Sequence, residues 1–241
     1  SVIAKRSCGR DGAPSVLIEA HIDEIGLMVS EITDKGALKF VNVGGVDERI
    51  LPALEVTVHG RCDIDGVIGV MPHERTDTEK SYKPEEMVID TGLDAERVKE
   101  LIAVGDAVTL PQSVGRLGKH RMSAKTMDDR ASVAALISVM KRLKDEKLRC
   151  DVYVAAAVQE EVGCRGGKTS AYGIMPDLAI AVDVTHGITP DNERNAFELG
   201  HGTVITLGPN LHPRLTDRLL ETARAKGIKH SIDVDGGCTG T

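Results

Sequence analysis

Four short segments carry side chains that could hold and use a divalent cation. His21 is followed by Asp23 and Glu24, Asp128 and Asp129 are adjacent, Gln159 precedes the pair Glu160-Glu161, and Asp183 stands just before His186. Imidazole nitrogen and carboxylate oxygen are the donors that hard and borderline divalent ions take. Each segment also has a plainer explanation. A single histidine after a strand is commonly structural, although its neighbour Asp23 strengthens it, because a carboxylate or carbonyl is what orients a metal-bound ring. Adjacent acids ahead of a helix serve as N-cap and as partners of the helix dipole. Glu160-Glu161 is more telling, because buried strands seldom end in two acids unless positive charge meets them. Asp183 also closes an apolar run, where an uncompensated carboxylate is costly. The coincidence of all four segments favours cation chemistry over four separate accidents.

The runs before these residues must position them. Residues 15–20 (SVLIEA), 151–158 (DVYVAAAV), 178–184 (LAIAVDV) and 203–208 (TVITLG) read as strands, the later ones apolar enough to be covered on both faces. Residues 129–144 place apolar side chains at helical spacing and end in basic residues. Residues 214–226 read as a second helix, with Pro213 at its start and Gly227 just past its end, and a last strand falls near 228–234. This alternation implies an α/β fold with a mostly parallel sheet flanked by helices. Ligands of such sheets gather at the C-terminal strand ends, where the acids and His21 stand.

Residues 25–32 and 37–43 read as further strands around Asp34-Lys35-Gly36. From Gly44 to about Arg121 the texture changes to short strands (ALEVTVHG, GVIGVM, DAVTL) broken by Gly, Pro and charged turns. A helix at 94–102 fits there, with Asp94 as N-cap. The organisation expected is a catalytic part of residues 1–43 plus 122–241, interrupted by a β-rich module at 44–121.

Composition excludes several classes. Aromatic residues make up 2% of the 241 residues and Trp is absent, which argues against a sugar cleft or a stacking platform for single-stranded nucleic acid. The net charge of −7 disfavours a nucleic-acid partner. Cys8, Cys62, Cys150, Cys164 and Cys238 are odd in number and form no CxxC pair, as expected for reduced thiols in a cytoplasmic protein. No stretch approaches the ~20 apolar residues of a membrane span, and Ser1 to Arg6 does not resemble a signal peptide. The chain begins without Met in a strand-like run and stops at Gly236-Gly237-Cys238-Thr239-Gly240-Thr241, so both ends read as cut.

The segments His21-Ile22-Asp23-Glu24-Ile25-Gly26, Met127-Asp128-Asp129-Arg130, Gln159-Glu160-Glu161-Val162-Gly163-Cys164-Arg165-Gly166 and Ala181-Val182-Asp183-Val184-Thr185 resemble, in that order, the motifs of the M42 family of glutamyl and related aminopeptidases. Some members carry the names endoglucanase or cellulase. The resemblance extends over the β-rich insertion, the Pro209-Asn210-Leu211-His212-Pro213 turn and the terminal Gly-Gly segment. It implies a two-metal aminopeptidase acting on peptides, with zinc or cobalt as the ions and manganese as a further choice. His21 and Asp183 would be terminal ligands, Asp128 the bridging ligand and Glu161 the carboxylate on the partner ion. Glu160 would be the general base, Asp23 would orient His21, and Asp129 would follow Asp128 through a cis peptide. The insertion would be a small barrel-like domain for subunit association, in a homo-oligomer between a dimer and a dodecamer. The family's further ligand histidine falls beyond Thr241, and its first helical region precedes Ser1.

Three rivals stand beside this expectation. A glycoside hydrolase would set two carboxylates ~5–10 Å apart across a sugar. An inactive assembly protein would keep the fold and the oligomer module. A deacylase or carboxypeptidase on a related two-metal fold would read the other end of its substrate.

Overall fold

The computed structural model describes residues 1–70, 82–111, 113–190 and 196–237. His73, Cys238 and the last residue of the GVIGVM run lie outside these. The elements in chain order are β1 (Val2–Arg6), β2 (Ser15–His21), β3 (Gly26–Ile32), β4 (Leu38–Val43), β5 (Glu55–His59), β6 (Asp63–Val70), β7 (Met87–Asp90), α1 (Ala95–Leu101), β8 (Ala107–Thr109), β9 (Gly115–Leu117) and β10 (Arg121–Ser123). There follow α2 (Met127–Leu143), β11 (Asp151–Ala157), α3 (Arg165–Ile174), β12 (Leu178–Ala181), β13 (Thr203–Leu207), α4 (Pro213–Ala225) and β14 (His230–Val234).

The central sheet has the order β1-β11-β2-β12. Its pairings β11–β2 and β2–β12 are parallel and β1–β11 is antiparallel, so the sheet is mostly parallel as expected. Helix α2 lies against β2, where Leu136, Ala20 and Val154 form a buried cluster with Ile18, Val133 and Met140 around it. Regular helix starts only after Asp129, because Asp128 (φ −85, ψ 104) and Asp129 (φ −123, ψ 30) are not helical and a cis peptide joins them. The run at 178–184 reads as a covered strand, yet β12 is short and largely exposed. Its physical reason is position: among the described residues, β12 is the last strand of the sheet and pairs on one side only, with β2. β13 likewise joins β14 in a separate parallel pair, not the central sheet. The helix α3 is absent from the sequence expectations; its Arg-Gly-Gly-Lys start is poor in helix formers.

The second unit is a closed barrel in the order β3-β4-β7-β6-β5-β8. Alternation sets its inside: Leu27 and Val29 of β3, Leu38 and Phe40 of β4, Val56 and Val58 of β5, and Ile64 and Ile68 of β6 all point into one buried core. Gly66 belongs to this packing, because a Cβ there would stand 2.7 Å from Ile89 Cγ2 across the strands. The core is aliphatic apart from Phe40, as the composition requires. Strands β3 and β4, expected with the catalytic part, are staves of this barrel, so the barrel begins at Gly26 and not at residue 44. What the sequence could not show is that the two strands close on β7 and β8 and so leave the sheet altogether.

Candidate functional site

The parallel strands β2 and β11 end side by side, because Ile22 N–H donates to Ala157 O (2.8 Å) beyond the last paired residues. Next to them, Val182 N–H donates to Glu19 O (2.8 Å), which delivers Asp183 just past β12. The start of α2 joins them: the buried Asp129 accepts a hydrogen bond from His21 N–H at 3.3 Å. Four remote segments thus converge on His21, whose side chain is 1% exposed.

The imidazole is the centre of the cluster. Its Nε2 lies 3.0 Å from Asp128 Oδ1, 3.8 Å from Glu160 Oε2 and 3.8 Å from Asp183 Oδ1. Its Nδ1 is 3.2 Å from the main-chain carbonyl of Asp23 and 3.6 Å from Asp23 Oδ1, so the hydrogen-bond partner is the carbonyl. The Asp23 carboxylate is turned elsewhere. It accepts from Glu160 N–H (3.1 Å) and Glu161 N–H (3.3 Å), clamping the loop after β11. Two overlapping groups bring possible ligand atoms within 4.8 Å of one another: His21 with Glu160 and Glu161, and His21 with Asp129 and Asp183. Asp128 is in neither group, and its side chain is 58% exposed despite its contact with Nε2.

This donor set fits a divalent cation. Among the described residues, one oxygen of the fully buried Asp129 has no hydrogen-bond partner, a costly state for a carboxylate unless positive charge reaches it. The neighbours also repel one another. Burial would lower the pKa of His21, but the charges of Asp183, Glu160, Asp128 and Asp129 raise it. Burial, helped by Asp128, raises Glu161, although His21 acts to lower it. Burial pushes Asp129 up to about 6, with the Ser132 hydroxyl pulling the other way. A bound cation would relieve all three.

The model of the M42 glutamyl aminopeptidase family matches residues 1–241. The chain belongs to this family. It is 32% identical over 240 residues to the lysyl aminopeptidase of Pyrococcus furiosus, a match covering 96% of this chain and 69% of that protein. Among solved structures it resembles the Pyrococcus horikoshii TET1 peptidase, described as assembling into a tetrahedron or a large octahedral shell, with a TM-score of 0.84, 32% identity, and coverage of 99% of this chain and 73% of the other. It also resembles a Thermotoga maritima protein named endoglucanase, with a TM-score of 0.75, 29% identity, and coverage of 96% and 70%.

Of the residues expected from the sequence of this M42 chain, Asp23, Asp128, Asp129, Glu160, Glu161 and Asp183 stand at or beside His21; Glu24 is paired with Lys125 (3.1 Å) instead. Two neighbours were not foreseen. Glu19 lies on β2 two residues before His21, on the same face by strand alternation, and its pKa is raised by burial and by Glu160. That signal was available in the sequence. Cys164 was not legible in the same way: its thiol donates to Glu160 Oε1 at 3.3 Å only because the intervening loop turns back. Lys168, a basic side chain on α3, donates to Gly163 O (3.1 Å). His212 is the residue before α4. A groove of about 630 Å³ on the barrel, lined by Glu55, Thr57, Asp65 and Asp90 among others, shares no residue with the cluster.

Proposed function

We propose that this protein removes residues from the free N-terminus of peptides, with His21, Asp128, Glu161 and Asp183 as metal ligands and Glu160 as general base. The observation that carries the reading is the place of Glu160. Its Oε2 faces His21 Nε2 at 3.8 Å from a side chain only 13% exposed, while its main-chain N–H is tied to Asp23. Two divalent cations, zinc or cobalt first and manganese as a further choice, would supply Lewis acidity and an acidified water at this cluster. Glu160 Oε2 takes the proton from the attacking water and returns it to the leaving amine. His21 presents Nε2 because Nδ1 is engaged by the Asp23 carbonyl. Asp23 positions Glu160 and Glu161 through their N–H groups, as well as His21 through its carbonyl. Surplus carboxylates around the cluster suit a substrate's protonated α-amine.

The lysyl aminopeptidase supports the exopeptidase reading. The endoglucanase reading is less favoured by geometry. Glu160 and Glu161, and likewise Asp129 and Asp183, bring carboxylate oxygens within 4.8 Å of each other and of the same imidazole, whereas a glycosidase holds its pair about 5–9.5 Å apart across the scissile bond. We further propose that residues 26–110 form the inserted association unit and that the protein works as a homo-oligomer, a reading the TET1 shells support. A cytoplasmic setting belongs to the same proposal, supported by the free thiols of Cys8, Cys62, Cys150 and Cys164. No helix of the described residues is long and apolar enough to cross a membrane.

The test uses free and N-acetylated short peptides with zinc, cobalt or manganese, with and without chelator. Chelator-sensitive loss of N-terminal residues from the free peptides alone is the expected result. Equal cleavage of acetylated peptides would reject the exopeptidase reading, and cleavage indifferent to chelator would reject the metal.

A further inference from the structure

The loop between β11 and α3 is built around a backward turn. Gly163 N–H and Cys164 N–H both donate to Glu160 O (2.9 Å each), and Arg165 N–H returns to Gln159 O (3.0 Å). Closing it places three residues in the left-handed region: Gln159 (φ 58), Gly163 (φ 117) and Cys164 (φ 54). Glycine is the residue that adopts such angles without strain, yet the first and third positions carry side chains. Strain of this kind persists where the surroundings hold it, and it clusters at working sites. At Cys164 the side chain it retains points its Sγ at Glu160 Oε1, 3.3 Å away.

The contact divides the labour of the two Glu160 oxygens. Oε1 is held by the thiol, and Oε2 is left facing His21 Nε2 at 3.8 Å. Asp23 fixes only the main chain of Glu160, through its N–H, and leaves the side-chain torsions free. We infer that Cys164 is a positioning residue for Glu160, its thiol fixing the rotamer that turns the second carboxylate oxygen toward the reaction centre. The inference rests on the reading of Glu160 as the base. A thiol suits the task because it is a weak donor. It can orient a carboxylate while leaving the charge that accepts a proton largely intact, which an ammonium or guanidinium in the same place would not.

Four forms of the full-length chain test this: wild type, Glu160→Gln, Cys164→Ala and Cys164→Ser. Glu160→Gln should abolish turnover, and retained turnover there would sink the base reading itself. With that reading intact, Cys164→Ala should lower kcat about tenfold, the weight of one hydrogen bond to a charged group, with KM little changed. Cys164→Ser restores a donor at the same atom and should recover most of kcat. Bound zinc per chain should be the same in wild type, Ala and Ser forms, since no ligand is removed. Iodoacetamide should inactivate the wild type in step with carboxamidomethylation of Cys164, as read by peptide mapping, and should spare the Ser form. An Ala form with wild-type kcat, an Ser form no better than Ala, or loss of zinc in either would overturn the positioning role.

Discussion

Replacing Asp23 with Ala tests how the loop bearing Glu160 and Glu161 is held. The carboxylate accepts both of their N–H groups, at 3.1 and 3.3 Å, from a side chain 23% exposed. Hydrogen bonds to charged groups contribute about 1.5–3 kcal/mol each, and partial exposure places these at the low end. Together they contribute about 3 kcal/mol. Losing about 1.5 kcal/mol of local protection should speed hydrogen exchange of each amide roughly tenfold. In Asp23→Asn the amide oxygen can serve one N–H and the NH₂ group repels the other, so one of the two amides should regain protection. The side chains of Glu160 and Glu161 would drift with their backbone, and a displacement near 1 Å is enough to reduce activity by about 100-fold. Exchange followed by mass spectrometry on peptides spanning residues 158–164 reads this directly. Unchanged exchange there in Asp23→Ala, together with lost metal, would mean that the carboxylate acts through His21 and that the clamp is incidental.

Three further outcomes are expected. Gly166→Ala should destabilise the chain by about 2–3 kcal/mol in urea unfolding, because a Cβ there would meet Val158 O at 2.1 Å and N at 2.4 Å and so push α3 off β11; a wild-type midpoint would contradict that packing. Asp151 is held well below the ordinary carboxylate range by its hydrogen bond from Lys5 (2.7 Å) and by Cys8 N–H, so its stabilisation is complete above about pH 4 and fades as pH falls below that; Asp151→Asn should therefore lower Tm at pH 7, with the difference from wild type narrowing below about pH 4, and a gap constant with pH would refute the assignment. Zinc or cobalt at about 100 times Kd should stabilise the chelator-treated protein by about 2.7 kcal/mol, or roughly 5–10 °C in Tm, and equal shifts from calcium would argue against a site built on His21.

How far the fold was legible depended on whether its signals were local. Helix α1 could be placed because Asp94 is an N-cap whose carboxylate accepts from Arg97 N–H at 2.8 Å, and α4 because Pro213 and Gly227 bracket it. The strand ends bearing His21, Glu160 and Asp183 could be found because apolar runs stop there. Barrel closure was not legible: the pairing of β3 with β8 joins Leu27 to Val108 across a long stretch of sequence, and alternation alone cannot say which partner a strand takes. Nor was the environment of β12, whose apolar residues look the same at an edge as at a centre. At the site, residue types were readable and contacts were not. Asp23 was expected to orient His21, with carboxylate and carbonyl both open; in the structure its carbonyl is the group within reach of Nδ1, and its carboxylate faces the loop.

The backbone contacts explain why these acids can be held so close together. His21 is anchored through its own N–H to Asp129, Glu160 and Glu161 through theirs to Asp23, and the chain entering Asp183 through Val182 N–H to Glu19 O. Each anchor fixes main chain: Asp129 and Asp23 accept through their carboxylates, whereas the side-chain charges of Glu160, Glu161 and Asp183 take no part in the bonds that place them. Burial first, and then repulsion between the acids, appears as shifted protonation, raising Glu161 and Asp129, while the same acids raise His21; the fold need not spread to relieve it. Asp128 differs from the rest. Its side chain is 58% exposed and meets the cluster through His21 Nε2, the atom a cation would take. Of the acids in the cluster it is the one whose position a bound ion would change most, while His21, Glu160 and Asp129 keep theirs.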